Sequence, residues 1–145
     1  MTRVIATLVA LTALWAVPCG AAAPATDLQR MEGTWSLKYG EKDNKPLTPT
    51  QAKAMQIRIT GPILSIMAEG KLINNATLVV DSTKKPKELR MESPEGTTSV
   101  LGIYKLESDE LWLCWDNRPG KRPATFSGLN DAGSLIYMRL VRTAP

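Results

Sequence analysis

The chain has 145 residues, a net charge of +4 and a composition that is 43% hydrophobic and 22% charged, enough for one domain with its own core. It contains no histidine, so the commonest general base and the commonest metal ligand are both missing, and a charge this mildly basic gives no indication of a nucleic-acid partner.

Arg3 precedes an apolar run over residues 4–17, closed by Pro18, Gly20 and three alanines. A charged start, a short apolar centre and a small-residue exit make a secretory leader. A spanning helix needs roughly 20 apolar residues, and Pro18 and Gly20 close this run earlier. Residues 1–25 are therefore expected to be a signal peptide, cut somewhere between residues 21 and 25. Residues 26–145 then form one exported domain, periplasmic or extracellular, with no transmembrane segment in the mature chain. Cys19 stands where a lipoprotein carries its acylated cysteine, but Pro18 before it and Ala16 three before it argue against lipid anchoring. The mature domain would keep Cys114 alone and have no internal disulfide, leaving stability to the core.

Residues 27–31 read as one helical turn capped by Thr26 or Asp27, and they run into a strand whose alternation puts Trp35, Leu37 and Tyr39 on one face. After a polar turn over residues 41–45, Thr48-Pro49-Thr50-Gln51 is a capping box with proline at the first helical position. A short helix from Pro49 to about Met55 is expected to lie over one end of the domain. Strands follow at residues 56–60 and 63–68, split by Gly61-Pro62, then a turn at Glu69-Gly70-Lys71 and a strand around residues 76–81. Residues 87–92 form a strand, 93–97 a turn, and 99–107 with 110–116 a hairpin that ends at Asn117-Arg118-Pro119-Gly120. Strands at 124–129 and 134–142 complete about nine, spaced roughly 8 to 14 residues apart. Such spacing predicts an all-β fold, an up-and-down antiparallel β-barrel of 8 to 9 strands with one or two short helices rather than a sandwich. On the last strand Ile136, Met138, Leu140 and Arg142 share a face, so Arg142 either stacks on Trp35 at the base of the barrel, with Arg139 as the fallback, or is a solvated terminal arginine.

Gly33-Thr34-Trp35 after a helical turn resembles the opening of lipocalin-like barrels, in which an arginine of the final strand packs over the tryptophan. The order of the longer motifs is more specific. Met31-Glu32-Gly33-Thr34-Trp35 comes first, then Ile59-Thr60-Gly61, then Asp81-Ser82-Thr83-Lys84-Lys85-Pro86-Lys87. Leu101-Gly102-Ile103-Tyr104-Lys105-Leu106-Glu107 follows, with Leu111, Leu113-Cys114 and Arg122-Pro123 after it. Over residues 28–142 the chain resembles a family of small secreted planctomycete proteins of unknown function with a lipocalin-like domain. It departs at Ser108, where that hairpin usually turns on glycine, and at Trp115, where another apolar residue is common. The resemblance implies a lipocalin-like barrel with Gly33, Trp35 and Arg142 in structural roles; it brings no activity and no binding residues.

Ser82-Thr83-Lys84-Lys85 has the spacing of a Ser-x-x-Lys nucleophile, but Pro86 follows at once and neither Ser-Asp-Asn nor Lys-Thr-Gly occurs in the chain. Cys114, between Leu113 and Trp115, reads as a buried and unreactive thiol. Glu107, Asp109 and Glu110 read as hydrated turn charges, Asn75-Ala76-Thr77 is a glycosylation sequon only in a eukaryote, and no metal-ligand set or cofactor motif is recognised. The expectation is a non-enzymatic domain whose inward residues Ile57, Ile59, Leu64, Ile66, Leu78 and Val80 line an apolar cavity for a small hydrophobic ligand. The alternative is an envelope interaction module binding a protein, a polysaccharide or another anionic polymer. It would use two basic stretches, Lys84, Lys85, Lys87 and Arg90 with Arg118, Lys121 and Arg122, provided the fold brings them to one rim. An open cavity favours the first; a filled barrel with an exposed basic and aromatic surface around Trp112 favours the second.

Overall fold

Eight antiparallel strands close on themselves in the computed structural model of the chain, which describes residue 20 and residues 22–143. Most of the expected leader, with Cys19, lies outside the described residues. In chain order the elements are α1 (Asp27–Met31), β1 (Gly33–Lys42), β2 (Lys45–Pro46), α2 (Pro49–Ala54), β3 (Met55–Thr60), β4 (Ile63–Ala68), β5 (Lys71–Asp81), β6 (Lys87–Glu92), β7 (Ser99–Leu106), β8 (Glu110–Asp116) and β9 (Leu135–Arg142). Each strand from β3 to β9 pairs with the next, β1 pairs with β3, and β1 with β9 completes the circuit. β2 sits outside the circuit, joined to β1 by the two-residue turn Asp43-Asn44. Both turn residues have positive φ, a conformation that Asp and Asn tolerate and that matches the twist of a hairpin. The chain is thus a lipocalin-like all-β barrel, and among the described residues no helix is long and apolar enough to cross a membrane.

One end of the barrel is filled. Trp35, Ile57, Ile59, Leu64, Leu78, Leu89, Tyr104, Leu111, Leu113 and Leu140 point inward and are at most 2% exposed, and Met31 of α1 joins them from below. Each such aliphatic side chain contributes about 1.5–3 kcal/mol relative to its exposed state. At five residues α1 is too short to hold itself together, and contacts at both ends fix it to the barrel. At its start, Asp27 Oδ2 accepts from Lys87 Nζ (2.6 Å) and from the Tyr104 hydroxyl (2.9 Å). At its end, Trp35 Nε1 donates to Met31 O (2.8 Å), while Arg142 donates to Glu32 O (2.7 Å) and Arg30 O (2.6 Å). Those carbonyls have no partner within the helix, so the tryptophan and the arginine satisfy what the helix leaves open. The Arg142 guanidinium lies 4.2 Å from the centre of the Trp35 ring. Arg139 instead turns outward to Glu110, at 2.8 Å.

Three sequence expectations change. Tyr39 does not share the inward face of Trp35 and Leu37: a bulge at Lys38 shifts the register between Leu37 and Tyr39, turning Gly40 inward and leaving Tyr39 42% exposed. β5 begins at Lys71, ahead of the expected start near residue 76, because Glu69 and Gly70, both with positive φ, suffice to turn the chain. Residues 124–129 are not a strand. β8 already lies between β7 and β9, and closure leaves no free edge beside it. The segment from Asn117 to Ser134 instead runs as a strap across the outer face of the barrel. Ile103 and Cys114 point outward by alternation yet are 1% and 0% exposed beneath it. The strap is tied down by Ser127 O accepting from Cys114 Sγ (3.3 Å), by Gly128 N donating to Glu41, and by a reciprocal pair of bonds between Asn44 and Asn130.

Candidate functional site

The barrel is packed where β1 starts and open where it ends. At the open end lie the β1–β2 hairpin, α2, the β4–β5 turn, the loop after β6 and the start of the strap. α2 is capped as the sequence predicts, with Thr48 and Gln51 exchanging hydrogen bonds (2.9 and 3.2 Å) and Pro49 in its first turn. It lies over this end. Between it and the inward faces of the strands is a cavity of about 560 Å³. Leu47, Met55, Ile66, Ile73, Trp115 and Met138 are among its apolar walls, and Gln51, Asn74 and Asn117 are among the polar groups. A recess of about 160 Å³ adjoins it and shares Ile66, Asn74, Trp115 and Asn117. A bulge between Ile66 and Met67 leaves Ile73 without a partner on β4 and 64% exposed beside the opening.

Of the six residues expected to line a cavity, Leu64 and Ile66 do so. Ile57, Ile59 and Leu78 are 1% exposed within the filled half, and Val80 packs against the same core. The expectation took the inward phase correctly but chose residues from the filled half. Met55, Trp115, Ile136 and Met138 lie nearer the open ends of their strands, and the capping box before β3 was the signal marking that end.

The basic stretches are not gathered on one rim. Lys84 and Lys85 lie on the turn between β5 and β6 at the filled end, whereas Arg118 and Lys121 follow β8 at the open end. Several of the cations have partners: Lys87 with Asp27 (2.6 Å), Arg90 with Glu92 (2.8 Å) and Arg118 with Asp116 (2.6 Å). Arg122 lies 3.5 Å from Glu88 and donates to the carbonyls of Leu89 and Gly102. A basic and aromatic cluster does exist on the outer face, where Lys105 and Arg139 stand 4.7 and 5.3 Å from the ring of Trp112. Arg139 and Lys38 both pair with Glu110, and the hydrogen bond from Arg139 holds that carboxyl below its ordinary range.

The remaining chemistry-bearing residues have local roles. Ser82 stands on a turn, not at a helix start, and Asp81 organises that turn by accepting from the backbone and hydroxyl of Thr83 (2.9 and 2.6 Å). Burial pushes the Cys114 thiol up to about 11. Hydrogen bonds from Arg118 draw Asp116 down to about 2 against a smaller opposing effect of burial. At Asp27 burial alone would raise the carboxyl, but the bonds from Lys87 and Tyr104 outweigh it and the net direction is down. Among the described residues, no three His, Cys, Asp or Glu side chains stand close enough to hold a metal ion.

Fold and cavity together define a small antiparallel barrel, sealed at one end by a helix and a Trp–Arg stack and hollow at the other. The chain matches no protein-family model, no curated protein and no solved structure.

Proposed function

We propose that the chain is an exported, non-enzymatic binding protein that holds a small hydrophobic ligand in the mouth of its barrel. The carrying observation is the cavity of about 560 Å³ under α2, within the roughly 300–1,000 Å³ typical of small-molecule sites. Its walls are mainly apolar, with a few amides beside them and Glu41, Lys42 and Glu69 also lining it, a combination that supplies burial for an apolar body and orientation for a polar group. Export rests on the leader pattern, and the family resemblance to secreted planctomycete proteins agrees with it.

Native mass spectrometry of the mature protein from its own host, followed by mild denaturation, tests the reading. The expected result is a released apolar small molecule. The companion is Ala54→Trp, which places an indole in the mouth: decanol should bind the wild type and fail to bind this variant while both unfold at the same midpoint. An empty native protein that takes up no decanol would overturn the proposal. A second reading, an interaction surface on the outer face, rests on the cations around Trp112. Trp112→Ala should abolish association with an envelope partner under that reading and leave decanol binding intact under the first.

A further inference from the structure

A separate cleft of about 290 Å³ lies towards the filled end and shares no residue with the mouth. Two distant segments build it. The turn between β5 and β6 supplies Lys84, Lys85 and Pro86, while the strap, descending the outer face from the far end, contributes Phe126. Lys105 and Leu106 of β7 complete the wall between them. None of the described residues lining the cleft is acidic. Of the nearby carboxylates, Asp27 pairs with Lys87 and Arg30 and Glu107 with Lys105, while Asp81 accepts from Thr83 and attracts Lys84 at longer range. Lys84 and Lys85 make no ion pair among the described residues.

We propose that this cleft is a second binding site, for a small organic anion with a flat apolar body. Hydrated surface lysines alone hold an inorganic anion weakly, since an exposed ion pair gains little in water. Pro86, Leu106 and Phe126 alone offer only a shallow apolar surface. A ligand that lays a ring against these three and turns a sulfonate or carboxylate to Lys84 and Lys85 uses both, and the lysines discriminate against its neutral analogue. The strap thus brings an aromatic ring, rather than its own cations, towards the basic turn.

The probe is naphthalene-2-sulfonate, titrated by calorimetry at low ionic strength into the wild type, a Lys84→Glu/Lys85→Glu double variant and Ala54→Trp. One site is expected in the wild type, at least about fivefold weaker in the double variant and weakened by added salt, and unchanged in Ala54→Trp. At matched ionic strength, inorganic sulfate should displace no more of the probe than chloride does. Both lysines sit on an exposed turn, so the double variant should keep the wild-type unfolding midpoint. Equal binding by the double variant, loss of binding in Ala54→Trp, or no binding up to millimolar probe would each overturn the proposal.

Discussion

Trp35 is the residue on which most of the filled end depends. It is 0% exposed, bonds to Met31 O and lies under Arg142. Trp35→Ala should cost about 3–5 kcal/mol, read from urea unfolding, and a midpoint unchanged within error would remove the ring from the core. Gly33 explains the first letter of the Gly-x-Trp motif. Its φ is +127°, and an added Cβ would stand 2.9 Å from Arg142 Nη1, so a side chain there both strains the backbone and displaces the arginine. Cys114 lies at the other extreme of reactivity. Its thiol should resist a maleimide reagent until the protein unfolds. The folded thiol stays protonated up to about 11 while the unfolded one ionises near 9.0, so its contribution to stability is whole below the lower value and fades as pH rises between the two. Cys114→Ala should accordingly flatten the alkaline fall in unfolding free energy.

Among the elements, the strap between β8 and β9 departs most from expectation. Residues 124–129 read as a strand, but Phe126 is only half-buried and Leu129 is 54% exposed, and the strap covers the outside of a barrel whose edges are already paired. Asp116 anchors its first turn: the carboxylate is 2% exposed, accepts from the backbone of Arg118 and pairs with its guanidinium. Its carboxyl is held at about 2 against an ordinary 3.8. The stabilisation is therefore present above the ordinary value and lost as pH falls through the folded one. Because Arg118 is half exposed, Asp116→Asn should cost only about 1–2 kcal/mol at neutral pH. Urea unfolding of both proteins as a function of pH should show the difference closing below the ordinary carboxylate range. A gap independent of pH would assign the effect to packing instead.

At the scale of the molecule, the barrel divides its interior into a packed half and an open half, the latter walled in part by core residues such as Trp115 and Met138. Decanol should raise the melting temperature of the wild type by mass action and leave that of Ala54→Trp where it is, which thermal unfolding with and without decanol would check. Local pattern was enough for much of this architecture. The capping box of α2, the hairpin formed by β7 and β8, the strand order and the inward phase of most strands follow from periodicity, turn chemistry and helix-start residues that act within a few positions. Arg142 was legible because alternation along β9 puts it in phase with Leu140. What the sequence did not reveal depends on contacts between distant segments. A single extra residue at Lys38 reverses which face Tyr39 takes, and alternation cannot register that in advance. Whether residues 124–129 pair or merely cover depended on β1 closing against β9, a contact between the two ends of the domain. The same closure decided which inward residues pack and which line a space, and so where the ligand site lies: phase is a property of one strand, whereas depth along the barrel axis exists only once all eight are in register.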